Sequence, residues 1–177
     1  MQVACSAAVC MEAQLQGNVT VGEQCGVHPG ASIRSSSGPI ILGDRCFVED
    51  GAVLLNDAPD EMQIGDGNLF ESGCIVESHR VGNGNWFEPK SYARMGSVIG
   101  SNCLIGSGVV VAAGEHILDN SILVAVQTPE GDIRRITRVQ SDYLIKMHSS
   151  LIQKYVDIFP RGSKSVYALE KHHELRQ

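Results

Sequence analysis

Val21-Gly22-Glu23-Gln24-Cys25-Gly26-Val27-His28-Pro29-Gly30-Ala31-Ser32-Ile33 carries an aliphatic at every sixth residue. Toward the N-terminus the step holds without a miss, through Leu15, Val9 and Val3. Val, Ile and Leu make up 44 of the 177 residues. Six such hits in a row would arise by chance about once in 700 over the six phases, so the period is a signal. It resumes as Leu42, Val48 and Leu54, and again as Ile64, Phe70 and Val76. After a five-residue step it runs Val81, Phe87, Ala93, Ile99, Ile105, Val111, Ile117 and Leu123. That makes twenty hexads, with only Ala93 weak.

Two other places in the hexad are biased. Gly follows the apolar residue at Gly22, Gly43, Gly65, Gly82, Gly100 and Gly106. Glycine there suits a tight turn or a positive φ. Four residues after the apolar place the side chain is usually small, as at Cys25, Ala31, Ser37, Cys46, Ala52, Cys74, Ser91, Ser97 and Cys103. Small side chains let short strands meet at a tight corner. The period is neither the alternation of an ordinary sheet nor a helical 3.6. One inward aliphatic per six residues predicts an all-β solenoid whose stacked coils align those aliphatics into internal ladders.

Repeats of the Val21-Gly22-Glu23-Gln24-Cys25-Gly26 and Leu42-Gly43-Asp44-Arg45-Cys46-Phe47 kind resemble the hexapeptide left-handed β-helix family. That family uses three hexads per triangular coil. The resemblance implies a left-handed parallel β-helix of about six to seven coils, with a C-terminal α-helix. The hand comes from the resemblance alone, since the general rule for parallel crossovers favours the right-handed sense.

The nine-residue step from Ile33 to Leu42 and the ten-residue step from Leu54 to Ile64 contain turn formers and read as short loops. They carry function or are tolerated insertions. The short step at residues 77–80 is a one-residue deletion at a corner. The period ends near Leu123. The expected division is residues 1–126 for the β-helix and 127–177 for a turn, a helix at about 139–159 and a charged tail. Gln127-Thr128-Pro129-Glu130-Gly131 reads as the turn, followed by Arg134, Arg135 and Arg138. Ser141-Asp142 can cap the helix. Leu144, Met147, Leu151, Tyr155 and Ile158 define its apolar stripe, which packs back on the prism or covers the last open coil. Pro160 and Gly162 stop it.

Charge and composition bound the function. The chain is acidic, with a net charge of −6, which argues against general phosphate or nucleic-acid binding. Residues 1–120 carry 14 acidic and 5 basic side chains, net −9, and residues 121–177 carry 6 and 9, net +3. No apolar run approaches the roughly 20 residues that span a bilayer, and the first 17 residues hold no Lys or Arg. The expectation is a soluble, intracellular protein with no direct membrane insertion.

Six cysteines lack any Cys-x-x-Cys spacing, and four occupy the small corner place. They read as packing residues, not as a metal or disulfide set. The histidines are His28, His79, His116, His148, His172 and His173. A hexapeptide acyltransferase would need one as general base, with His28 and His116 as candidates. A gamma-class carbonic anhydrase would need three as zinc ligands. The stretches resembling that enzyme place Leu55, Ser72 and Glu77 where its ligands stand, and His79 is two residues out of step. Asp119-Asn120 and Glu49-Asp50 read as solvated corners. No catalytic, cofactor-binding or metal residues are assigned, and no enzymatic activity is expected.

The ordered series Val27-His28-Pro29-Gly30-Ala31, Gly38-Pro39-Ile40-Ile41-Leu42-Gly43, Glu49-Asp50-Gly51-Ala52-Val53, Asn68-Leu69-Phe70-Glu71-Ser72-Gly73-Cys74, Glu88-Pro89-Lys90-Ser91-Tyr92 and Gln140-Ser141-Asp142-Tyr143-Leu144-Ile145-Lys146 is more specific. Over roughly residues 3–158 it resembles the dynactin subunit 6 family. The resemblance implies a non-catalytic pointed-end subunit of dynactin, partnered by dynactin subunit 5, dynactin subunit 4 and the actin-related pointed-end protein. It implies an indirect link to dynein and cargo, kinetochores included, and not an obligate homotrimer. The chain departs from the family in its first hexads and in a shorter 56–63 loop. Animal relatives carry a Thr-Pro phosphorylation site in the tail. Here the only such dipeptide is Thr128-Pro129, in the turn, so that regulation is not carried over.

Overall fold

The computed structural model describes residues 1–158. The predicted stop at Pro160 and Gly162 and the charged tail, 163–177, lie outside the described residues. The first turn of chain is β1 (Gln2–Val3), β2 (Ala8–Val9) and β3 (Gln14–Gln16). The second is β4 (Val19–Val21), β5 (Gly26–Val27) and β6 (Ser32–Ser35), and the third β7 (Ile40–Leu42), β8 (Phe47–Val48) and β9 (Val53–Asn56). The fourth is β10 (Met62–Ile64), β11 (Leu69–Phe70) and β12 (Ile75–Val76), and the fifth β13 (Arg80–Val81), β14 (Trp86–Phe87) and β15 (Tyr92–Ala93). The sixth is β16 (Val98–Ile99), β17 (Leu104–Ile105) and β18 (Val110–Val111), and a partial seventh holds β19 (His116–Ile117) and β20 (Ser121–Gln127). Each strand pairs in parallel with its counterpart one turn away, which builds three sheets. The first face starts at β1 and ends at β19, the second runs from β2 to β20, and the third from β3 to β18.

Every predicted hexad aliphatic lies in a strand of its own, one for each of these twenty strands. Register stacks them in columns. On the second face Val9, Val27, Val48, Phe70, Phe87, Ile105 and Leu123 are successive partners. On the third, Leu15, Ile33, Leu54, Val76, Ala93 and Val111 align. Ala93 is fully buried in its column. Phe70 and Phe87 stack with ring centroids 5.0 Å apart.

The corners show why the other hexad places are biased. Cys25, Ala31, Cys46, Ala52, Cys74, Ser91, Ser97 and Cys103 are all buried, whereas Ser37 is exposed. The same place also holds Asn68 and Asn85, both fully buried. Asn68 Nδ2 donates to the Gly65 and Gly82 carbonyls at 2.8 and 2.9 Å, and Asn85 Oδ1 accepts from the Cys103 N–H at 2.7 Å. A corner can thus take a polar side chain when it completes the backbone bonding between coils. The glycine after the aliphatic serves close stacking, not positive φ. A Cβ on Gly43 would lie 2.4 Å from Asp66 Oδ1 and 2.7 Å from the backbone of Gly65 in the next coil. The left-handed residue comes two places later and is often not glycine, as at Arg45 with φ 52°.

The two long steps leave the prism at one corner, between the third and first faces. They stack on each other there. Asn56 Nδ2 donates to the carbonyls of Gly38, Pro39 and Asp60 at 3.0, 3.0 and 2.8 Å, so one side chain staples both loops.

After β20 the chain reverses through residues 128–132 into β21 (Ile133–Val139), antiparallel to β20. From the sequence this stretch shows only a turn and three arginines. The reason is that β21 lacks the hexad and its side chains are almost all exposed. Helix α1 spans Asp142–Ile158, capped by Ser141, whose Oγ accepts from the Leu144 N–H at 3.3 Å.

Candidate functional site

The helix does not cover the last coil; it lies along the second face. Its contact surface begins with three side chains that point outward from that face: Phe47, Leu69 and Trp86. They precede the inward residues Val48, Phe70 and Phe87 by one position, so strand alternation turns them out. Left bare, they would be an apolar stripe. Ile152 and Val156 of α1 bury against them, with Leu151 and Tyr155 at the margin. The buried line of the helix is His148, Ile152 and Val156. The predicted stripe is therefore rotated: Met147 and Ile158 are exposed, and His148 begins the buried line. Counting histidine as polar hid it.

Two polar contacts fix the docking. His148 Nε2 lies 2.9 Å from the Gly67 carbonyl, and its ring centroid is 5.6 Å from that of Trp86. Burial lowers the His148 pKa, partly opposed by the Gly67 contact. At the other end, the Tyr155 hydroxyl donates to Glu49 Oε1 at 2.5 Å, and its ring lies 4.9 Å from that of Phe47. Glu49, Glu71 and Glu88 occupy the same place in successive coils, each following the inward aliphatic or aromatic. Burial pushes the Glu71 carboxyl up, the Trp86 indole works against this, and Glu49 and Glu88 add to it. Burial and the Glu49 carboxylate push the Tyr155 phenol up as well. These carboxylates anchor a helix and a corner: Ser72 Oγ donates to Glu49 at 3.2 Å, and the Ser107 N–H to Glu88 at 2.8 Å.

The enzyme candidates are dispersed by the same geometry. Leu55, in β9, has no donor atom. Ser72 precedes β12 and Glu77 follows it, at opposite ends of that strand. Ser72 is engaged by Glu49, and Glu77 accepts the Tyr92 hydroxyl at 2.8 Å. Among the described residues no three His, Cys, Asp or Glu side chains are grouped to hold a metal ion. His79 is exposed. His28 follows β5 at the corner of the second and third faces, and burial lowers its pKa against the pull of Glu49 and Asp50. His116 is exposed on β19 of the first face, five coils away. All six cysteines are free thiols.

The outer side of the third face carries Ser32, Val53, Ile75, Tyr92 and Val110, and among the described residues no helix lies over it. Arg94 lies 5.5 Å above the Tyr92 ring. Among the described residues no helix is long and apolar enough to cross a membrane.

The coil count, the three parallel sheets and the docked helix find counterparts in known proteins. No family model matches the chain. A solved hexapeptide transferase family protein from Anaplasma phagocytophilum superposes with a TM-score of 0.76 over 89% of both chains, at 16% identity. This likeness shows the fold. In sequence, dynactin subunit 6 of Dictyostelium discoideum is 30% identical over 165 residues, 92% of this chain and 84% of that protein. Dynactin subunit 6 of Xenopus tropicalis is 30% identical over 164 residues, 83% of this chain and 80% of that protein. The chain belongs to the dynactin subunit 6 family. An enzyme is a more distant relative: carbonic anhydrase of Methanosarcina thermophila is 28% identical over 168 residues, 83% of this chain and 68% of that protein.

Proposed function

We propose that this chain is a non-catalytic structural subunit of dynactin. In this reading it sits at the pointed end of the complex with dynactin subunit 5, dynactin subunit 4 and the actin-related pointed-end protein. It works in the cytoplasm on the cytoskeleton and helps couple dynein to cargo, kinetochores included. The observation that carries the reading is the likeness to dynactin subunit 6 across both prism and helix. Leu55, Ser72 and Glu77 support it, because the first cannot bind zinc and the other two are spent on internal hydrogen bonds. A prism of stacked strands, most of two or three residues, is stiff, and each coil contacts only its neighbours. Such a body suits the role of a spacer with flat docking faces.

The test is an affinity-tagged chain recovered from cells that make it, with the co-purifying proteins identified by mass spectrometry. The expected result is the set of dynactin pointed-end subunits in fixed proportion. A purified homotrimer of about three times 19.0 kDa that binds zinc and hydrates carbon dioxide, with no dynactin subunit attached, overturns it.

A further inference from the structure

Among the described residues the second face ends in a strand with one edge free. β21 is the last strand of its sheet. The Gln140 N–H bonds to the Asn120 carbonyl at 2.7 Å, and the Thr128 N–H to the Asp132 carbonyl at 2.7 Å. These bonds bracket the hairpin and set its phase, since antiparallel hydrogen-bonded pairs alternate. Residues 134, 136 and 138 therefore bond inward to β20. The N–H and C=O groups of Ile133, Arg135, Thr137 and Val139 point away from the sheet. That is a far longer open edge than any two-residue strand of the prism offers.

Its side chains are as unusual as its length. The strand holds Arg134, Arg135 and Arg138 and no acidic residue, on a body whose first 120 residues carry a net −9. Arg135 is taken: it reaches Glu115 at 2.5 Å and the Val110 carbonyl at 3.0 Å. Arg134 and Arg138 have no partner among the described residues, and they flank half-buried Ile136 on one side of the strand. Ile133 and Val139 are 76% and 84% exposed. A strand added antiparallel at this edge meets 134, 136 and 138 in non-hydrogen-bonded pairs, where opposing side chains come closest. A second copy of β21 paired about Ile136 would set Arg134 against Arg138, and like charges directly opposite are destabilising. The edge thus rejects its own kind.

We propose that β21 is a docking strand for an extended acidic segment of another protein. The segment adds to the free edge with carboxylates opposite Arg134 and Arg138 and an apolar side chain opposite Ile136. Backbone hydrogen bonds supply affinity and the alternate side chains supply selectivity. This inference does not depend on dynactin membership.

The test uses the full chain and a fluorescein-labelled, end-blocked synthetic peptide, Val-Glu-Thr-Val-Thr-Glu-Val, followed by anisotropy at low salt. Saturable binding is expected, with the Lys-for-Glu peptide weaker by roughly tenfold. The Arg134→Glu/Arg138→Glu variant should reverse that preference. Methylating the backbone nitrogens of the two peptide threonines should abolish binding to the unmodified protein, because those N–H groups face β21. Absence of saturable binding, an unchanged preference in the variant, or equal binding of the methylated peptide (adsorption by charge alone) each overturns the proposal. In those cases the arginines serve only to keep the edge from pairing.

Discussion

The two ends of the prism are built from the same repeat and finished differently. At the C-terminal end Val111 and Leu123 are fully buried and Ile117 is 8% exposed. At the N-terminal end Val3 is 43% exposed, and Val9 and Leu15 are half-buried. The hairpin accounts for the contrast. β21 pairs with β20, and Arg135 crosses to cap the Val110 carbonyl at the open edge of the third face. Nothing among the described residues does this for β1, β2 and β3. A hexad makes a coil, but a coil buries its ladder only when something lies beyond it. Ends are therefore specified by sequence outside the repeat.

Leu118 shows the same rule at a corner. Its counterparts in the second to sixth coils are Gly22, Gly43, Gly65, Gly82 and Gly100, each pressed by the coil that follows. Leu118 has no coil above it, carries a full side chain and is 79% exposed.

The largest test of the contrast is paired truncation of the ladder. Leu123→Ala should cost about 2–5 kcal/mol, the range for a buried leucine. Val3→Ala should fall within about 0.5 kcal/mol, as at an exposed surface site. Urea unfolding of both variants decides it, and equal costs would mean the N-terminal coil is covered in solution. Next comes the corner. A Cβ on Gly100 would lie 2.6 Å from the Asp119 nitrogen, so Gly100→Ala should cost about 1–3 kcal/mol by overpacking. Leu118→Ala should be near neutral, and thermal melts compare the two.

Arg135→Ala removes the cap of the finished end. Its pair with Glu115 is partly exposed, and the guanidinium holds the Glu115 carboxyl below the usual range. The loss should be about 0.5–1 kcal/mol and shrink in high salt, measured by unfolding at two ionic strengths. A loss unchanged by salt would assign the effect to the Val110 contact instead.

The smallest effect concerns the covered face. The unfolded histidine titrates near 6.5, and burial lowers the folded value of His148. As pH falls through about 6.5 the unfolded chain takes up a proton that the docked helix resists, so docking weakens, and the loss levels off below the folded pKa. Glu71, whose folded pKa is raised, acts oppositely at lower pH. Trp86 is the chain's single tryptophan and sits beside His148, so its emission should report the change. His148→Gln should remove the pH step while keeping a donor for Gly67.

How far the sequence could be read depends on what repeats. Each of the twenty hexad aliphatics occupies its own strand, because a two-residue strand buries one side chain and the period follows from geometry. The small corner residues were equally readable. Asn68 and Asn85 were not, since their burial depends on carbonyls of neighbouring coils. The vacant ligand places at Leu55, Ser72 and Glu77 were visible once a resemblance supplied the comparison. Their present partners, Glu49 and Tyr92, come from distances that no spacing encodes.

The chain alone therefore settled the solenoid, its twenty hexads and the absence of a Cys-x-x-Cys set, because these follow from local spacing repeated many times, and the resemblance turned the hexads into a coil number. Three-dimensional packing settled the rest. It placed the helix against Phe47, Leu69 and Trp86, turned its buried line onto His148, and drew Arg135 across to close one end. It also left β21 with a bare basic edge. These depend on contacts between segments far apart in the chain that do not recur from coil to coil, and a contact made once leaves no period to read.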